Sequence, residues 1–200
     1  MARPRTFDEQ DVVERAMLQF WREGYGGTSI STLEESTGIS RISLYNAFGD
    51  KDGLFLKALS LYREKAQDYF LDPQFAEGGL ASIEALFSSI STKLPKDAPQ
   101  QFGCLMLNTI LDIDAVSDAA KKMVQDCRSE MITGFRAALS FASEAGEAIA
   151  TKDEIDDRAE FLVGAMWGAR ISARLKGDVR AGAGVARTVM DVVKSWRTQS

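Results

Sequence analysis

The stretch TSISTLEESTGISRISLYNAF, residues 28–48, sets hydroxyl side chains at two helix starts and a single glycine between two apolar-patterned segments. Thr28 or Ser29 can cap a first helix that carries Ile30 and Leu33 on one face, and Ser31 with Glu34 offers a second capping register. Gly38 can take the positive φ that ends this helix, which a residue with a Cβ reaches only at a cost. Ile39 fills the corner, and Ser40 caps a second helix whose inward face holds Leu44 and Phe48. Two short helices joined by a tight turn form the layout of a helix-turn-helix reader, here spanning about residues 29–48.

The outward face of the second helix is left to Arg41, Ser43, Tyr45 and Asn46, which are donors suited to phosphates and base edges. Arg41, in the first turn, has the reach for a bidentate contact to guanine, whereas Tyr45 and Asn46 are better placed for the sugar-phosphate backbone. Helix starts near Thr28, Ser29, Ser40 and Lys51 can add amide donors to phosphate, and Arg3 and Arg5 form a basic N-terminal arm. The overall charge runs the other way. The net charge is −5 and the sequence pI about 4.9, and residues 1–51 hold six Lys and Arg against eight acids. Many of those acids fall on the first helix, which can face away from a duplex, so specific binding is expected to depend on two copies acting together.

The region from Phe7 to Phe55 resembles the DNA-binding domain of TetR-type bacterial transcriptional regulators. Phe20, Gly24, Tyr25 and Thr28-Ser29-Ile30 resemble the end of that family's first helix and the start of its second. Gly38-Ile39-Ser40-Arg41 resembles its turn, and Leu44-Tyr45-Asn46-Ala47-Phe48 with Asp50-Lys51-Asp52-Gly53-Leu54-Phe55 resembles its recognition helix and the start of helix four. The chain departs from the pattern at Glu34 and Thr37, where the family usually has alanine, and at Ile42, where it usually has a small residue or proline.

Other classes are disfavoured by composition. With no histidine, the usual general base and most zinc chemistry are missing, and no carboxylate or lysine motif replaces them, so neither an enzyme, a metal site nor a cofactor is expected. Cys104 and Cys127 form no CxxC pair. The start Met1-Ala2-Arg3-Pro4-Arg5-Thr6 lacks the apolar run of a signal peptide, and no segment approaches the roughly 20 apolar residues of a membrane span, so a cytoplasmic location is expected.

Helical periodicity continues to the C-terminus, giving an all-α chain of about nine helices with no strand alternation. The first runs from Asp8 to Glu23 with Gly24 as its stop, and a fourth runs from Lys51 to Asp72-Pro73. Others fit Leu80 to Thr92, Gly103 to Leu111, Ser117 to Ala145, Glu154 to Leu175 and Ala181 to Trp196. With no Gly/Ser/Pro linker between the halves, the boundary falls inside the fourth helix: residues 6–66 for the DNA-binding domain, 67–200 for a larger helical effector-binding and dimerisation domain.

Phe161, Gly164, Ala165, Gly168, Ala169 and Ala173 give a small-residue face, and Val185, Val189 and Trp196 mark an apolar stripe on the last helix; together they are the expected homodimer interface. The resemblance implies a four-helix bundle from two copies. Phe70, Phe87, Cys104, Met106, Met123, Phe135 and Trp167 are adaptable or aromatic groups of the kind that line an effector cavity. Cys104 is expected in the first turn of a helix, where the dipole favours thiolate, and Gly103-Cys104-Leu105 resembles a TetR-type subgroup in which some members sense electrophiles or oxidants. The expected protein is a homodimeric repressor of a pseudo-palindromic double-stranded operator, released by a small apolar or thiol-reactive effector. A ligand-independent DNA-organising dimer and a helical carrier or enzyme are the alternatives.

Overall fold

The computed structural model describes residues 7–90 and 98–198, apart from the side chains of residues 66–69. Among them run ten α-helices: α1 Glu9–Gly27, α2 Ile30–Thr37, α3 Arg41–Phe48, α4 Lys51–Gln67, α5 Pro73–Glu77, α6 Gly79–Ile90, α7 Leu105–Leu111, α8 Asp118–Glu144, α9 Lys152–Lys176 and α10 Ala183–Ser195. Short 3-10 turns cover Asp68–Leu71, Pro99–Phe102 and Val179–Gly182. The described residues contain no strand, only an isolated antiparallel bridge between Ala148 and Arg197. The all-α expectation holds, and no described helix is long and apolar enough to cross a membrane.

Two boundaries differ from the sequence reading. Gly24 takes φ 79°, but the chain resumes a last helical turn to Gly27 instead of stopping. The fourth helix ends at Gln67, and Asp72-Pro73, read as its stop, instead starts α5: Asp72 caps it by accepting from the Gln74 N–H, with Pro73 where no N–H is required.

Contacts divide the chain into two compact units. The first comprises the chain up to Lys65 with Leu105–Val124; the second comprises Ala66–Cys104 with Gln125–Ser200. Thus α7 and the start of α8, which the sequence reading grouped with residues 67–200, pack with the N-terminal helices. In the first unit α1 packs on α2 and α7, and α2 on α3. Its core is aromatic at one end of α1: Phe20 meets Phe55 edge to face at 4.9 Å, Tyr25 lies 4.8 Å from Phe55, and Trp21 meets Tyr62 at 4.9 Å. Two polar side chains tie the α7 segment to α1. Asn108 Nδ2 donates to the Trp21 carbonyl at 3.2 Å, and Asp112 Oδ2 accepts from the Gly26 N–H at 3.2 Å. A Cβ on Gly24 would stand 2.6 Å from that Asp112 oxygen, so both the positive φ and the close approach call for glycine.

In the second unit Phe70, Phe75, Phe87 and Phe135 form one buried cluster, with ring centroids 5.1 Å apart for Phe70–Phe135 and 5.4 Å for Phe70–Phe75. Helix α10 packs on α6 and α9, and α9 also packs on the Val179–Gly182 turn. The C-terminal end is fastened by Arg197, whose guanidinium lies 3.0 Å from Glu84, and by Thr198, whose N–H donates to the Glu147 carbonyl at 2.9 Å.

Candidate nucleic-acid interface

The helix starts of the reader form as their side chains dictate. Ser29 accepts from the Thr32 N–H at 3.1 Å, Ser40 accepts from the Ser43 N–H at 3.3 Å, and Gly38 ends α2 with φ 75°. Leu33 and Leu44 are the buried anchors of the two helices, and Phe48 is half-buried. The departures at Glu34 and Thr37 each make a bond that alanine could not. Glu34 Oε1 accepts from the Arg41 N–H at 2.6 Å, adding a carboxylate to the start of α3 that Ser40 caps, and the Thr37 hydroxyl donates to the Leu33 carbonyl.

Arg41 and Asn46 are exposed, and Ser43 and Tyr45 half-exposed. The Arg41 guanidinium lies 5.1 Å from the centre of the Tyr45 ring, an exposed contact in which the cation stays in water. Ser29 and Ser40 are exposed, but their hydroxyls are engaged in capping; what each start can offer outward is backbone N–H groups. Arg3 and Arg5 lie outside the described residues.

Two expected contacts are turned inward. Thr28 is fully buried, and its hydroxyl donates to the Gly24 carbonyl at 2.7 Å, bridging the kink in α1. Lys51 is half-buried; its ammonium donates to the Tyr25 carbonyl at 2.7 Å and stands 4.1 Å from the centre of the Tyr25 ring. Burial pulls its pKa below the usual lysine range, against a smaller upward pull from the Asp112 carboxylate. Burial also pushes the Tyr25 phenol up, and the Asp52 and Asp50 charges add to that. The sequence reading missed these partners because Gly24, Tyr25 and Asp112 meet only once α1 has kinked and α7 has packed. The sequence reading offers Glu34 as half of a second capping register with Ser31; the cap is Ser29, and the Glu34 carboxylate instead reaches the start of α3, as a carboxylate seven residues before Arg41 can across a tight turn.

The other candidate residues separate. Phe70, Phe87 and Phe135 come together in the aromatic cluster, with Phe75 as the member not expected. Met106 is fully buried and Met123 half-buried, and both belong to the first unit, whereas the cluster belongs to the second. Cys104 is 5% exposed and precedes α7 instead of lying in its first turn. Trp167 is half-buried, and its indole Nε1 is buried with no acceptor among the described residues. A groove of about 320 Å³ between α8 and α9 is lined by Arg136, Lys152 and Asp156 among others and by none of the expected residues.

The expected interface also divides. Ala169, Ala173 and Val189 are buried within the chain; a Cβ on Gly182 would stand 2.8 Å from the Ala169 Cβ, so that small pair serves an intrachain approach. Ala165, Val185 and Trp196 are half-buried, the last under Arg158 and 6.4 Å from the Phe161 ring. Phe161, Gly164, Gly168, Ile171 and Leu175 instead form one row on α9 spaced three and four residues apart, with Leu175 81% exposed and open space beside both glycines.

The model of the bacterial regulatory proteins of the tetR family matches residues 12–58, and that of the tetracyclin repressor-like C-terminal domain matches residues 79–189. The chain is 30% identical over 178 residues, 86% of its length and 82% of the relative's, to the HTH-type transcriptional repressor ComR of Escherichia coli K12. It is 43% identical over 61 residues, 30% of its length and 31% of the relative's, to the HTH-type transcriptional repressor AcnR of Corynebacterium glutamicum. Among solved structures, a cysteine mutant of the TetR family transcriptional regulator CifR, complexed with 26-bp double-strand operator DNA, superposes with TM-score 0.71 at 25% identity, covering 98% of this chain and 100% of that one. With the capped reader of α2 and α3 followed along the sequence by a larger helical region, the chain belongs to the TetR family of bacterial regulatory proteins and is a DNA-binding transcriptional regulator.

Proposed function

We propose that the protein is a homodimeric, cytoplasmic repressor that places α3 of each copy in successive major grooves of a pseudo-palindromic operator and is released by a small apolar effector held in the C-terminal half. The observation that carries the DNA reading is the exposed face of α3, where Arg41 stands in the first turn with only a ring contact to leave. Ser43, Tyr45 and Asn46 add donors on the same helix, and Arg3 and Arg5 add positive charge for phosphate. Two copies are favoured because one reader supplies one short recognition helix, and half-sites about 34 Å apart call for two. The row from Phe161 to Leu175 on α9 supports that pairing.

The aromatic cluster around Phe135 supports an apolar ligand, and the indole donor of Trp167, which finds no acceptor among the described residues, is a separate candidate contact. The burial of Cys104 favours noncovalent binding over reaction at the thiol. Release then follows from a ligand that binds more tightly to a dimer whose readers no longer match their half-sites. Selection of duplexes from a random pool by the full-length protein tests the reading: a two-fold symmetric site is expected. Arg41→Ala should weaken its binding by about 1 to 3 kcal/mol and relax preference at one position of each half-site. Equal loss on all sequences would make Arg41 a phosphate contact.

A further inference from the structure

We propose that Ile42 reads the methyl group of a thymine in the operator, beside the base reached by Arg41. Ile42 lies in the first turn of α3 and is 74% exposed. Every other aliphatic or phenylalanine side chain of the reader, Ile30, Leu33, Ile39, Leu44 and Phe48, is buried or half-buried. Nothing in the fold therefore asks for isoleucine there, and a β-branched residue in an eight-residue helix is a weaker helix former than alanine.

Its surroundings say what would cover it. Ile42 shares the solvent face of α3 with Asn46, one turn on, and with Arg41 beside it, and both are exposed polar groups. An aliphatic side chain offers nothing to a phosphate. In the major groove the group that matches it is the C5-methyl of thymine. The inference rests on α3 being the recognition helix, and it adds a base that donor counting on that helix overlooks.

Deoxyuridine, which is thymine without the methyl, isolates the contact. The full-length protein would be titrated against a duplex enriched from a random pool, with the thymines replaced by deoxyuridine one symmetry-related pair at a time. At one position the wild type should lose about fourfold for each methyl removed. Ile42→Ala should bind the unmodified duplex more weakly and be indifferent to the replacement there, while Arg41→Ala should keep the wild-type sensitivity. Because Ile42 is exposed, the alanine variant should keep its fold, which its unfolding temperature checks. A wild type insensitive at every thymine, or an Ile42→Ala protein as sensitive as the wild type, overturns the inference and leaves the reader intact. Failure to enrich any duplex overturns the reader assignment, and this inference with it.

Discussion

Helices α3 and α9 both leave apolar side chains in water, but in different company. On α3 a single isoleucine stands among donors, whereas on α9 Phe161, Ile171 and Leu175 run in a row with Gly164 and Gly168 between them. A lone methyl group beside an arginine fits a base edge. A row at helical spacing with gaps for close approach fits a second helix. Exposure alone does not separate the two; the neighbours along each face do.

The strongest way to break the contrast is Gly168→Leu. Nothing of the chain lies within 4 Å of a Cβ there, so the monomer should fold, while the added side chain holds the facing helices apart. The expected outcome is a folded monomer in sedimentation and loss of operator binding; an intact dimer would free the α9 row from this role. Next comes Gly24→Ala in the first unit, where a positive φ and the Asp112 carboxylate both oppose a side chain. A loss of about 1 to 3 kcal/mol in denaturant unfolding is expected, with weaker operator binding and an unchanged dimer. The smallest effects come from the caps. Ser40→Ala and Thr151→Ala should each cost about 1 kcal/mol, but only Ser40→Ala should also weaken DNA binding. Thr151, the N-cap of α9, accepts from the Glu154 N–H while the Glu154 carboxylate accepts from the Thr151 N–H, and this box carries a pH signature as well. The Thr151 backbone N–H, and then its hydroxyl, hold the Glu154 carboxyl below its ordinary pKa, so that contribution is present above the unfolded value near 4 and fades as pH falls through the folded one. Thr151→Ala keeps the backbone N–H, so its unfolding should lose only the hydroxyl's share of that acid dependence.

What was legible in the sequence is what is decided within a few residues. Ser29, Gly38 and Ser40 cap and turn because a hydroxyl or a missing Cβ acts on its own neighbourhood. Thr28 and Lys51 were read by the same local logic, yet their side chains end on Gly24 and Tyr25, which come within reach only through a kink that no helical pattern encodes. In the second unit, phenylalanines at helical spacing announce a core but not its membership. Phe75 joins the cluster because Asp72-Pro73 opens a short helix where a stop was the simpler reading. The α9 face was half legible: small residues mark both its inner and outer sides, and only packing sends Ala169 inward and Gly168 outward.

That α7 belongs to the reader's unit governs the order in which this protein can be made. Helices α1 to α4 leave the ribosome while Ala66–Cys104 still separates them from Met106, Asn108 and Asp112. Until those residues arrive, the bond from Asn108 to the Trp21 carbonyl is unmade and the side of α1 that α7 will cover stays in water. The last contacts of the reader are thus non-local, and contacts of that kind slow folding and prolong the exposure of apolar surface. A nascent chain halted before α7 would carry a DNA-binding helix on an unfinished support.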